Sequence, residues 1–116
     1  MVVLMKVARM MVAAALLGLM PGADVKVVHI TAERFSFTPS QVKVKAGTVV
    51  EFRIESEDTN HGFRIPAAGI DGVVPKRGKG ELRVRFHAEK PGRYEFECSK
   101  ACGAGHTIMR GVVIVE

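Results

Sequence analysis

The stretch Val50-Glu51-Phe52-Arg53-Ile54-Glu55 decides the fold class of this chain. In it, apolar residues alternate with charged residues, which is the pattern of a β-strand with one buried face and one face in water. Residues 82–87 and 93–98 repeat this alternation, and apolar, β-branched stretches at 25–31 and 112–115 begin and end the region. About seven short strands separated by turn residues, with no convincing helix after residue 24, predict an all-β protein folded as an antiparallel sandwich or barrel.

The segment before these strands has a different composition. Lys6 and Arg9 precede an uncharged apolar run at 10–20, and Pro-Gly-Ala follows at 21–23. A basic start, an apolar centre of this length and small residues before a cleavage point are typical of a secretory signal. We therefore expect an exported protein, periplasmic or on the outer face of the cytoplasmic membrane, with a leader at 1–23 and one domain at 24–116. An uncleaved leader that anchors the chain to the membrane is the alternative.

The size and charge of the chain exclude several classes of protein. With 116 residues, 47% of them hydrophobic and 25% charged, the chain is long enough for one globular domain and too short for a multidomain enzyme. Without Lys6 and Arg9, 15 basic residues face 12 acidic ones, which is too mild and too scattered for a nucleic-acid partner. The densest basic group consists of Lys76, Arg77 and Lys79, which form either a solvated loop or a docking patch for an acidic partner.

Residues that can carry chemistry are concentrated shortly before the last strand. The segment CSKACGAGHTIM, residues 98–109, contains two thiols, one imidazole and one thioether. Together these groups form the soft ligand set that selects copper. His61 follows another strand and, in a sandwich, can reach the same end of the molecule as this segment.

Each of these residues has an ordinary structural explanation when it is taken alone. Cys98 and Cys102 of an exported protein could form a disulfide, Met109 could fill the core, and His61 could be a hydrogen-bonded surface residue. Taken together, the spacing Cys-x3-Cys-x3-His-x2-Met with an upstream histidine favours a metal site. Two further histidines have no ligand neighbours and are interpreted as structural: His29 and His87.

These motifs resemble a known family. Residues 24–116 are similar to the cupredoxin domain that carries the binuclear CuA centre in subunit II of haem-copper oxidases and in nitrous oxide reductase, most closely over 58–66 and 97–109. The resemblance implies a Greek-key β-sandwich that binds two copper ions. It implies that the thiolates of Cys98 and Cys102 bridge the two coppers and that His61 and His106 each bind one of them. It also implies two weak ligands, the thioether of Met109 and the backbone carbonyl of Lys100.

The resemblance also implies a function and partners. Such a centre passes single electrons from a donor such as a c-type cytochrome to a terminal acceptor, and it makes no bonds itself. Enzyme activity would therefore belong to an oxidase-like complex that contains the domain. The side chains of Phe63, Ile65 and Ile108 are expected to control solvent access to the metal and its potential. Two alternatives remain open: an exported copper chaperone or store with the same ligands, and a sandwich interaction module with a structural disulfide.

The sequence departs from the oxidase subunit in three respects. It has only a short leader where the subunit has membrane helices, and it has no tryptophan, whereas the subunit has a tryptophan-containing stretch that receives electrons. It also has Lys100 where the subunit typically has a glutamate that helps to hold a magnesium ion. A lysine repels a divalent cation and offers it no lone pair. We therefore expect a small stand-alone domain with a copper centre and without the neighbouring magnesium site.

Overall fold

A computed structural model describes residues 24–116 of the chain, and the expected leader at 1–23 lies outside these described residues. Within this range the chain is built almost entirely from short strands. They are β1 (Asp24–Glu33), β2 (Ser36–Thr38), β3 (Gln41–Val44), β4 (Thr48–Ser56), β5 (His61–Ile65), β6 (Ile70–Val74), β7 (Leu82–Ala88), β8 (Gly92–Glu97) and β9 (Arg110–Val115).

The strands form two sheets that enclose one hydrophobic core. The first sheet has the order β2-β1-β4-β7, and the second has the order β3-β9-β8-β5-β6. The alternating stretch at 50–55 lies in β4, where Val50, Phe52 and Ile54 are completely buried. The predicted all-β, cupredoxin-like sandwich is therefore confirmed.

Both sheets are mixed rather than purely antiparallel. Strand β1 runs parallel to β4, with Asp24 opposite Thr48, and β3 runs parallel to β9. All other pairs of neighbouring strands are antiparallel. After β2 the chain crosses to the second sheet for β3 and returns to the first for β4. Such crossovers bring strands side by side in the same direction. The sequence pattern does not reveal them, because alternation reports which face is buried and not which strand is the neighbour.

Four phenylalanines form the centre of the core between the two sheets. Their rings meet edge-on or tilted, with centroids 5.1 Å apart for Phe63 and Phe96 and 5.2 Å apart for Phe52 and Phe63. The fourth, Phe37, packs against Phe96 at 5.4 Å. Aromatic rings in these arrangements attract each other more than their buried area alone accounts for, and a close-packed interior resists rearrangement. The core at this level is therefore rigid. It supports the end of the sandwich where the candidate ligands lie.

Helical structure in the described residues is confined to two short 3₁₀ turns. They span Pro66–Ala68 and His106–Ile108. Among residues 24–116, the structure has no helix that is long and apolar enough to span a bilayer.

Candidate metal centre

The candidate ligands lie on two segments that meet at one end of the second sheet. His61 is the first residue of β5, and Cys98 directly follows β8, its neighbour in the sheet. The segment 98–109, here called the ligand loop, connects β8 to β9, and the Cys98 N–H donates to the carbonyl of Met109 at 3.1 Å to close it. The expectation that His61 and this segment meet at the same end of the sandwich is confirmed.

Three of the candidate ligands form one compact, buried group. The ligand atoms of His61, Cys98 and Cys102 all lie within 4.8 Å of one another, and none of the three residues is more than 4% exposed. The two sulfurs are 3.6 Å apart and are not joined in a disulfide. Two free thiols and one imidazole therefore converge on a single point in the protein.

The other candidates surround this group through the sulfur atoms. Cys102 Sγ lies 3.9 Å from His106 Nδ1 and 3.8 Å from Met109 Sδ. Cys98 Sγ lies 3.1 Å from the backbone carbonyl oxygen of Lys100, to which its S–H donates. The fold thus brings all six predicted donor groups together, with Met109 fully buried and His106 half-buried.

Asp58, which the sequence pattern alone does not mark as functional, orients His61. The Nε2 of His61 lies 2.6 Å from the carboxylate oxygen Oδ1 of Asp58. An ionised carboxylate only accepts hydrogen bonds, so we assign the ring proton to Nε2. The other nitrogen, Nδ1, is buried and has no hydrogen-bond partner in the described structure. A carboxylate that fixes the tautomer and leaves the second nitrogen free is the usual arrangement behind a metal-binding histidine.

Asp58 is itself held by several donors. Its Oδ2 accepts the N–H of Arg34 at 2.9 Å, and its Oδ1 accepts the N–H of Thr59 at 2.8 Å as well as the His61 proton. Burial opposes ionisation of this carboxyl, but the hydrogen bonds from Arg34, His61 and Thr59 outweigh it and lower its pKa to about 2. Asp58 is therefore a carboxylate at neutral pH, as the tautomer assignment requires. Its place three residues before His61 was the signal available in the sequence.

The surroundings of the Cys102 thiol disfavour its ionised form. Burial, together with the neighbouring Cys98, raises the pKa of the Cys102 thiol to about 11. Without a metal this thiol is neutral at pH 7, and metal binding would displace its proton. At Cys98, the N–H of Gly62 donates to the sulfur at 3.4 Å.

Two further expectations concern the residues that would shield the metal and the histidines that would not bind it. Phe63 and Ile65 are completely buried in β5, the strand that begins with His61, as a role in excluding water would require. Ile108 does not share this role, because it lies on the outer side of the 3₁₀ turn with 73% of its surface exposed. His29 and His87 are exposed and lie outside the ligand group, in agreement with their structural interpretation.

The basic group Lys76, Arg77 and Lys79, here called the basic loop, lies near the site. The backbone N–H of Arg77 donates to the carbonyl of Asp58 at 3.0 Å, and that of Lys76 donates to the Asn60 side chain at 2.7 Å. These bonds fix the basic loop against the segment that leads into His61. Lys76, Arg77 and Lys79 are all exposed.

Comparison with known proteins identifies the family. The cupredoxin-like domain family matches residues 4–115. The chain belongs to this family. The domain is 33% identical over 97 residues to cytochrome c oxidase subunit 2 of Thermus thermophilus, a match that covers 82% of this chain and 69% of the relative. It is also 33% identical over 93 residues to nitrous-oxide reductase of Ralstonia nicotianae, covering 77% of this chain but 14% of that enzyme.

A solved structure gives the same relationship. A chain in the cryo-EM structure of a haem-copper terminal oxidase dimer superimposes on this cupredoxin domain with a TM-score of 0.69 and 32% sequence identity. The match covers 80% of this chain and 65% of that one. The domain is thus homologous to oxidase subunit II and to a part of nitrous-oxide reductase. Membership of the family and the His61–Cys98–Cys102 group together support copper as its metal.

Proposed function

We propose that this cupredoxin domain is an electron-transfer protein with a binuclear copper centre of the CuA type. One observation carries the proposal: His61, whose Nδ1 is buried and unpartnered, belongs to one compact group with two free thiols whose sulfurs are 3.6 Å apart. A mononuclear blue-copper site uses one thiolate with two imidazoles. A second thiolate at this distance from the first offers a bridge for a second metal ion.

The donor set fits a pair of copper ions. Cys98 and Cys102 would act as bridging thiolates, and His61 and His106 would each bind one copper. Met109 and the backbone carbonyl of Lys100 would act as weak ligands, since a thioether and a neutral carbonyl donate less strongly than a thiolate. Soft sulfur and imidazole ligands of this kind favour copper over harder cations such as magnesium or calcium. A bound copper pair would supply a centre that gains and loses one electron at a time.

The protein contributes rigidity and the exclusion of water. His61, Cys98 and Met109 are buried, and Phe63 belongs to the same hydrophobic core as Cys98 and Met109. Since close-packed interiors resist rearrangement, the ligands would hold nearly the same positions in both redox states. His106 is the half-buried ligand, so a redox partner would approach on the side of the ligand loop.

The partners and location follow from the same proposal. We expect a donor such as a c-type cytochrome, a downstream acceptor, and export to the periplasm or the outer face of the cytoplasmic membrane under the direction of residues 1–23. The basic loop lies beside the segment that carries Asp58, so a partner with acidic residues around its contact surface would be favoured. Catalysis of oxygen or nitrous oxide reduction would belong to a larger assembly.

Copper titration of the full chain, followed by electron paramagnetic resonance, tests the proposal. We expect two copper ions per chain and a seven-line hyperfine pattern, because one unpaired electron would be shared equally by two copper nuclei. A colourless protein that binds Cu(I) and releases it to an acceptor chelator would instead indicate a chaperone. A protein that takes up no copper after reduction of its thiols would contradict both functions.

Single substitutions test the bridging role. Cys98→Ser and Cys102→Ser should each abolish the seven-line pattern, because a hydroxyl is a poor bridge for copper. His87→Gln is a matched control, since this exposed histidine lies outside the ligand group and its loss should leave the spectrum unchanged. An unaltered spectrum in either cysteine variant would show that the bridging assignment is wrong.

A further inference from the structure

Arg34 lies between β1 and β2 and hydrogen-bonds to both segments that carry the candidate ligands. Its backbone N–H donates to Asp58 Oδ2 at 2.9 Å, and Asp58 in turn holds His61. Its guanidinium Nε donates to the backbone carbonyl of Cys102 at 2.8 Å. One residue thus connects the support of an imidazole with the backbone of a thiol ligand.

The next residue strengthens this connection. The ring of Phe35 lies directly against the backbone of Gly103 and Gly105 in the ligand loop. A Cβ at Gly103 would lie 2.8 Å from Phe35 Cε1, which is too close, and its φ of +142° also excludes most other residues. The loop backbone therefore rests on the ring, and Arg34 holds the same loop from the side of Cys102.

We propose that Arg34 is a positioning residue of the metal centre that holds the ligand loop at a fixed distance from His61 and raises the reduction potential of the bound metal. The second part rests on the proposed function. The oxidised centre carries one more positive charge than the reduced centre, so a permanent cation beside it disfavours oxidation. Because Arg34 is exposed, solvent weakens this effect without abolishing it.

Two substitutions separate the hydrogen bond from the charge. Gln carries its amide nitrogen at the same point of the side chain as Arg Nε, so Arg34→Gln keeps a donor for the Cys102 carbonyl and loses the charge. Lys has a methylene at that point, so Arg34→Lys keeps the charge and has no donor at the position of Nε. Both keep the backbone N–H that binds Asp58. Arg93→Gln is the matched control, since Arg93 is exposed on β8 at the opposite end of the sandwich, opposite Ile114.

The first measurement needs no metal. In the copper-free protein, the amides of His106 and Ile108 donate to the carbonyls of Gly103 and Gly105. We expect Arg34→Lys to increase their hydrogen-exchange rates by several fold, because the loop loses its connection at Cys102, while Arg34→Gln and Arg93→Gln leave them near wild type. Equal exchange rates in wild type and Arg34→Lys would overturn the positioning role, whatever the metal proves to be.

The second measurement uses the copper-loaded protein. Arg34→Lys should weaken copper affinity by about 10-fold, as is usual when a group that supports a ligand is lost. Arg34→Gln should keep the affinity and lower the reduction potential relative to both wild type and Arg93→Gln. Identical potentials in the two glutamine variants would overturn the electrostatic role. Failure of the wild type to bind copper would refute the proposed function and leave the exchange result to decide the positioning role.

Discussion

Gly62 is a position at which the structure leaves no room for a side chain, and Gly62→Ala is a direct test of how the site is assembled. It is buried immediately after His61, and its N–H points at Cys98 Sγ from 3.4 Å. A Cβ built there would lie 2.8 Å from the backbone nitrogens of both Ser99 and Lys100 and would overlap the Ser99 hydroxyl. Its backbone is not left-handed, so the obstacle to alanine is space alone.

The size of the effect follows from these distances. Atoms of this kind pack at about 3.5 Å, so the ligand loop must move by roughly half an ångström or more away from His61. Overpacking of this kind costs about 1–3 kcal/mol of unfolding free energy, of which the stiffer unfolded chain offsets about 0.4–1 kcal/mol. The thiol of Cys98 would move with the loop. We therefore expect copper affinity to fall by about 10-fold or more.

Gly72→Ala is a matched control in the neighbouring strand β6. A Cβ there would lie 2.8 Å from Leu82 Cδ1, which belongs to a half-buried side chain that can rotate away. Urea unfolding of the copper-free variants, followed by circular dichroism, and copper titration of the folded variants measure both effects. Gly62→Ala should be clearly less stable and bind copper more weakly than Gly72→Ala. Equal stability and equal affinity in the two variants would refute the argument from close approach.

Three further predictions concern the site and its surroundings. Met109→Leu should keep the bound copper and shift its reduction potential in voltammetry, because a weak thioether ligand tunes the metal more than it holds it; loss of the metal would make Met109 a principal ligand. Lys100→Ala should leave the copper spectrum unchanged, since the predicted ligand is the backbone carbonyl, and a changed spectrum would assign the role to the side chain. Replacing the three basic residues of the basic loop with glutamine should slow electron exchange with the anion ferricyanide several fold at low ionic strength, as measured by stopped flow. Replacing Lys43 and Lys45, at the opposite end of the sandwich, with glutamine should not slow it. Equal slowing in both variants would show that the location of the charge is irrelevant.

The strands with one wet face could be predicted from the sequence, and two others could not. Alternation located β4, β7 and β8, because each has one face in the core and one in water. Strand β5 is not predicted by alternation, and His61, expected after a strand, is the first residue of this one. Four of the five residues of β5 are buried, including Gly62, so the strand has no alternating pattern to find. Strand β6 is five residues long and is interrupted by Gly72.

The prediction of the candidate site from the sequence rests mainly on one short motif. Cys98, Cys102, His106 and Met109 fall within twelve residues, so their spacing alone suggests a common purpose. Arg34 is 68 positions from Cys102, and its hydrogen bond to that residue depends on how β1 and the ligand loop are brought together. Asp58 lies only three residues before His61, but the sequence does not show that its carboxylate fixes the tautomer of the histidine ring.

The same two-residue period that predicts the fold also explains why the ligands point inward. His61 and Phe63 lie two residues apart in β5, and Cys98 follows Phe96 by two residues at the end of β8, so each ligand shares the inner face with a core phenylalanine. The rings of Phe63 and Phe96 are 5.1 Å apart, which makes the ligand group the next layer of a close-packed core. A site built in this way cannot move its ligands easily. That property favours the proposed electron-transfer centre, which must keep its geometry while its charge changes, over a chaperone that must open to release its metal.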